Sequence, residues 1–245
     1  MAYAIRATVI FIALLCVTLM VCGFLYIWDV LHEHNNDGTS EAREEQEHIY
    51  TELNGGIIQV QPQIKTSPVI ALDAGHGGVQ PGCEFDGVLE KDITLSVVLA
   101  VKGKLEDKGY NVLLTRSVDE DVRLVDRAAI ANRADADCFV SIHCNSFVED
   151  MSVSGFEGYY YRSIDGKQLS DHIVAAADKR SIKTRGTKEE NYLVLREADM
   201  PAVLLEIGYL SNTEERQALI STAYQDTVST VIAEGIVAWI ENTLQ

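Results

Sequence analysis

Four short apolar runs constrain this chain most: 69-VIALD-73, 111-NVLLT-115, 138-CFVSIH-143 and 202-AVLLE-206. Runs that are apolar almost throughout fit strands covered on both faces, the pattern of a parallel sheet. Stretches with helical spacing fall between and after them. One is 93-ITLSVVLAVKGKLEDK-108, with Asp92 placed to N-cap it and Gly109 where a C′ glycine belongs. Others are expected over about 123–134, 166–179, 213–221 and 225–241. Short strands alternating with amphipathic helices predict a single α/β domain with a mostly parallel, helix-covered sheet. No internal repeats are visible.

In such sheets the ligand lies beyond the carboxyl ends of the strands. His76 follows the first run, in 72-LDAGHGG-78; His143 ends the third and Glu206 the fourth. These three polar side chains are therefore expected to converge at one sheet edge. Glu90 is expected on the loop just before the first helix.

The remainder of the chain divides in two. Residues 7 to 28 carry no charge, enough to cross a bilayer as a helix. Arg6 precedes the run and Asp29 and Glu33 follow it, which orients the rest of the chain outward. Residues 1–28 thus read as an N-terminal transmembrane anchor or a signal sequence, although no A-x-A-like site closes the run. Residues 29–67, including 34-HNNDGTSEAREEQEH-48, read as an acidic tether. The domain is expected over 68–245, extracytoplasmic in either case. A net charge of −17 argues against nucleic acid as a partner. The five cysteines form no C-x-x-C pair, so neither a disulfide framework nor a cysteine zinc knuckle is supported. Cys83, Cys138 and Cys144 are expected reduced or buried.

Two imidazoles and one carboxylate around an open position suit catalytic zinc, and a second, unligated carboxylate suits a proton-transferring base. His76, Glu90, His143 and Glu206 offer that inventory. Residue types alone do not establish it, because the H-E-x-x-H spacing is absent. A cysteine-hydrolase alternative centred on Cys144 is disfavoured by strand parity, which turns it away from His143's face. The same parity puts Asn145 on His143's side, where it would touch substrate or order a ligand. Ser141 lacks a G-x-S-x-G elbow. Asp73 either orients a ligand histidine or caps the turn. Gly75, Gly77 and Gly78 suit a turn with positive φ better than a phosphate cradle. Arg116 and Arg127 are open between substrate-carboxylate contacts and pairing within the fold.

The segments 71-ALDAGHGG-78, 90-EKDITL-95, 112-VLLTR-116, 124-LVDRAAIANRADADCFVSIHCN-145 and 202-AVLLEIGYLSN-212, in this order, resemble the zinc-dependent N-acetylmuramoyl-L-alanine amidases of bacterial cell walls. The resemblance runs from Pro68 nearly to the C-terminus. It implies Zn²⁺ on His76, Glu90 and His143, with Glu206 as catalytic residue. It also implies peptidoglycan as substrate, cleaved between the lactyl group of N-acetylmuramic acid and the L-alanine of the stem peptide. The short span between Asn145 and Tyr159 leaves no room for the long insert that blocks the metal in some relatives. Activation is then left to a partner protein, zinc loading or expression timing. A short chain with one N-terminal anchor resembles the sporulation amidases, which strip muramic acid so that a partner deacetylase can form muramic-δ-lactam in the spore cortex. A catalytically dead wall-binding domain and a stem-peptide carboxypeptidase are the competing expectations.

Overall fold

The computed structural model describes residues 67–243. The expected anchor over 1–28 and nearly all of the tether over 29–67 lie outside the described residues. Among the described residues no helix is long and apolar enough to cross a membrane.

The domain is α/β. Six strands form the main sheet: β1 (Val69–Ala74), β4 (Asn111–Leu114), β5 (Cys138–Asn145), β6 (Phe156–Tyr160), β7 (Thr184–Glu189) and β8 (Ala202–Tyr209). Their order is β4-β1-β5-β8-β6-β7. Every neighbouring pair is parallel except β6 with β8. A separate two-stranded hairpin, β2 (Glu84–Phe85) and β3 (Val88–Leu89), follows β1. The helices are α1 (Glu90–Glu106), α2 (Leu124–Arg133), α3 (Ile164–Lys179), α4 (Leu193–Arg196), α5 (Thr213–Leu219) and α6 (Thr222–Thr243).

The expected mostly parallel sheet is present, with several corrections. β6, β7, the hairpin and α4 were not foreseen. α1 begins at Glu90 with Leu89 as N-cap, so Asp92 lies in the first turn rather than capping it. Glu90 is therefore held by a helix and not by a loop. The C-terminal end of α1 is as expected: Gly109 has φ 86°, its N–H donates to Glu106 O, and Tyr110 N–H donates to Leu105 O. β8 runs three residues beyond Glu206, because 207-IGY-209 continues the apolar pairing and Tyr209 aligns with Asn145. Glu206 is thus a mid-strand residue, and His143 lies two residues before the end of β5.

Alternate strand residues divide between two cores. On one face Leu72, Ile142 and Leu205 pack with α1, α3 and α6, and Trp239 of α6 is fully buried there. Each such aliphatic side chain contributes about 1.5–3 kcal/mol by leaving water. On the other face Ala71, Phe139 and Leu204 pack with Ala131 of α2 and with Val194 and Leu195 of the short α4. Asp73, Ser141, His143, Glu206 and Glu157 take the intervening positions on this second, less covered face.

Candidate metal centre

Three elements deliver one cluster. His76 sits on the turn after β1, Glu90 opens α1, and His143 stands near the end of β5. One ligand atom from each lies within 4.8 Å of the others. Glu90 bridges the two rings: its Oε1 is 2.9 Å from His143 Nδ1 and its Oε2 is 3.2 Å from His76 Nε2. Two backbone amides fix the carboxylate, Cys144 N–H on Oε1 at 3.0 Å and Cys83 N–H on Oε2 at 2.9 Å. Burial by itself would raise the Glu90 pKa. Hydrogen bonds to His143 and His76 outweigh it and hold the group below the usual carboxylate range.

The backbone leaves room for this cluster. A Cβ on Gly75 would come within 2.4 Å of the His143 ring, and one on Gly82 within 2.5 Å of Glu90 Oε2. Gly75 thus matters for space rather than for a left-handed φ. Gly77 and Gly78 do adopt the expected positive φ, at 129° and 55°, and so does His76 itself, at 59°. Two buried guanidiniums hold that strained turn. Arg127 donates to Ala74 O at 2.7 Å and His76 O at 2.8 Å; Arg116 donates to Ala74 O and Gly75 O, both at 3.0 Å.

Asp73 anchors this clamp. It is fully buried and accepts from Arg127 Nη1 at 2.8 Å, Thr115 Oγ1 at 2.6 Å and Ser141 Oγ at 2.6 Å. It bonds neither a ligand imidazole nor its own turn; it acts on the turn through Arg127. Arg116 and Arg127 are internal, which settles that alternative against a substrate contact.

Glu206 is the register partner of His143 on the adjacent parallel strand, so the two share a face. Its Oε2 is buried and has no hydrogen-bond partner among the described residues. Burial first, then the charges of Glu90 and Glu157, push its pKa well above the ordinary carboxylate value. A carboxyl group with one buried oxygen unpartnered among the described residues, on the strand next to His143, suits a proton-transfer role. The donor set, two imidazoles and one carboxylate with their ligand atoms gathered within 4.8 Å, fits zinc. The site is open to solvent, with His76 side chain 30% exposed.

The family model described as N-acetylmuramoyl-L-alanine amidase matches residues 70–238. The chain belongs to this family. The sporulation-specific N-acetylmuramoyl-L-alanine amidase of Bacillus subtilis is 34% identical over 175 residues, which span 68% of this chain and 66% of that one. Among solved structures, the amidase AmiC2 of Nostoc punctiforme is similar at 37% identity and TM-score 0.68, covering 71% of this chain and 97% of that one. The amidase CwlD from Clostridioides difficile, solved in complex with the GerS lipoprotein, is similar at 29% identity and TM-score 0.68, covering 72% and 100%.

Against this family frame the remaining residues can be placed. Cys144 is buried in the helix-covered core, on the face away from His143 as parity requires. Cys83, Cys138 and Cys144 are all free thiols, and burial raises the pKa of each. Asn145 lies past a register shift in β5 and its Oδ1 accepts from Ser146 N–H at 2.8 Å. No helix occupies residues 146–155. Sequence reasoning missed Glu157, the register partner of Glu206 on β6. It also missed Gly82 and the two amides on Glu90. An acid inside the strand-like 156-FEGYY-160 was the available signal for Glu157; backbone amides leave none.

Proposed function

We propose that this protein hydrolyses the amide between the lactyl group of N-acetylmuramic acid and the L-alanine of peptidoglycan stem peptides, with His76, Glu90 and His143 as zinc ligands and Glu206 as base. The observation that carries the proposal is the convergence, in a member of this amidase family, of those three donors near Glu206, whose buried Oε2 has no partner among the described residues. Bound there, zinc would supply Lewis acidity toward the carbonyl oxygen and lower the pKa of a water. Glu90 would bring negative charge already fixed by two backbone amides, so little reorganisation accompanies ligation. Glu206, with its raised pKa, would take the proton of the attacking water and hand it to the departing alanine amine. Arg116 and Arg127 would keep His76 in place while this occurs.

Digestion of purified peptidoglycan with the zinc-loaded protein tests the proposal. Mass spectrometry should find stem peptides with a free L-alanine amine. Shortened stems would instead support a carboxypeptidase, and an unchanged polymer with metal bound would support a wall-binding module. The carboxypeptidase alternative has lost Arg116 and Arg127, which are spent on backbone carbonyls.

We further propose a role in the spore cortex, supported by similarity to the sporulation-specific amidase. The CwlD structure in complex with a lipoprotein supports a protein partner for this chain, which we propose acts as an activator. The same digestion run with and without the corresponding lipoprotein reads out that dependence. Residues 1–28 would hold the domain outside the membrane as an anchor or export it as a signal, which the size of the mature chain in the membrane fraction distinguishes.

A further inference from the structure

Beyond Glu206 the sheet continues through Glu157 on β6 to the edge strand β7. A register shift interrupts the β6–β7 pairing, and Gly186 there has φ 81°. In a regular strand, residues three apart point to opposite faces. The bulge changes this: Arg185 and Lys188 both reach Glu157 Oε1, Lys188 at 3.1 Å. Glu157 is buried, while the Arg185 and Lys188 side chains are 38% and 41% exposed. Tyr159 and Tyr209 hydroxyls also donate to Glu157.

Two features make this more than a structural ion pair. Arg185 and Lys188 share the one Glu157 carboxylate, on an otherwise strongly acidic chain. Of the Arg185 guanidinium only Nε is hydrogen-bonded among the described residues, so its terminal nitrogens have no protein acceptor. A guanidinium with free terminal nitrogens, set over the Tyr209 ring at 5.8 Å, suits a carboxylate.

The order across the sheet gives the direction. The metal cluster lies at β1 and β5, Glu206 on β8, Glu157 on β6 and the cations on β7. A scissile carbonyl at the metal and a leaving amine at Glu206 send the rest of the peptide over β6 toward β7. Strands lie about 4.8 Å apart and an extended peptide advances about 3.3 Å per residue. The cations therefore stand within reach of a carboxylate one or two residues past the cut.

We propose that Arg185 and Lys188 form an anion subsite that binds a carboxylate on the leaving peptide and so select substrates by the charge of the residue after L-alanine. This rests on the amidase proposal for the direction of the peptide. They are specificity-determining residues, held in place by Glu157.

The test uses two N-acetylmuramoyl dipeptides that differ only at the second residue, which carries a free carboxylate or its carboxamide. Binding to the zinc-loaded Glu206→Gln protein is measured by calorimetry, and cleavage by the unaltered protein by mass spectrometry. The carboxylate ligand should bind about tenfold more tightly, as expected for a charge-assisted hydrogen bond. Arg185→Gln with Lys188→Gln should erase that difference, and Arg185→Lys with Lys188→Arg, which keeps both charges, should retain most of it. Equal binding of the two ligands by the Glu206→Gln protein overturns the proposal. So does an equal loss for both ligands in the glutamine pair, which would make the cations only a scaffold for Glu157. A carboxylate preference that persists while the lactyl–alanine bond stays intact, or while the peptide bond is cut instead, would leave the subsite standing and defeat the amidase reaction.

Discussion

The two faces of the main sheet are built from the same strands and do opposite work. One face packs against α1, α3 and α6 through thirty buried apolar residues; the other has nine in its cluster, with α2 and the short α4. Where the second face lacks cover it carries a row that a sheet interior normally avoids: Asp73 and Ser141, then His143, Glu206 and Glu157. Because strand side chains alternate, Ile142 and Cys144 serve the packed core while His143 between them faces the site. The lesson is that stability and chemistry are interleaved at a period of two, and the well-packed face lets the other hold unpaired and strained groups.

The sharpest break between the faces should be Glu206→Ala. Hydrolysis of peptidoglycan is expected to fall by about 10²–10⁴-fold, the usual worth of a positioned proton-transfer group. Zinc content, measured on the same protein by atomic emission, should stay full. His76→Ala and His143→Ala should lower zinc content itself. A normal cleavage rate in the first variant, or full zinc in either histidine variant, contradicts the assigned roles.

Trp239→Ala probes the packed face. Removing a fully buried indole should cost about 3–5 kcal/mol in urea unfolding while leaving the zinc affinity of the folded fraction unchanged. Asp73→Asn sits on the other face and should do both things at once. Its carboxylate takes three donors, one from the buried Arg127 that also grips His76 O. A smaller loss of about 1–3 kcal/mol is expected, together with weaker zinc binding. An Asp73→Asn protein that is destabilised but binds zinc as tightly as before would show that the turn does not depend on this clamp.

Much of the packed face was legible. Apolar runs and helical spacing located β1, β4, β5, β8 and most helices, because each element buries enough surface to impose its own period. The polar face was legible only in part. His76, Glu90, His143 and Glu206 were visible as residue types and through the family motifs, but their supports were not. Asp73 with Arg127 and Arg116 with the Gly75 carbonyl are long-range contacts that no local period encodes. β7, 184-TRGTKE-189, has almost no apolar residues, since an edge strand need not bury both faces, so it offered no strand signal. Glu206 looked like a strand end because a carboxylate in mid-strand breaks the pattern, and its place there reflects the site rather than the packing.

The smallest effect separates two carboxylates within the site itself, in metal-free protein. The Glu206 pKa is raised by burial and by Glu90 and Glu157, so ionising it opposes folding. That penalty is absent below the unfolded value of about 4.3 and grows as pH rises toward the folded value. Glu206→Gln should therefore stabilise the protein at pH 7 and leave it unchanged near pH 4. Glu90 has the reverse sign: its pKa is lowered, so its contribution is present above about pH 4.3 and is lost as pH falls. Glu90→Gln should destabilise at pH 7. Thermal melts of both variants across pH 4 to 8 read the signs directly. A destabilised Glu206→Gln protein at pH 7 would mean that its carboxylate is held by a favourable contact, which would leave no unpaired base beside the metal position.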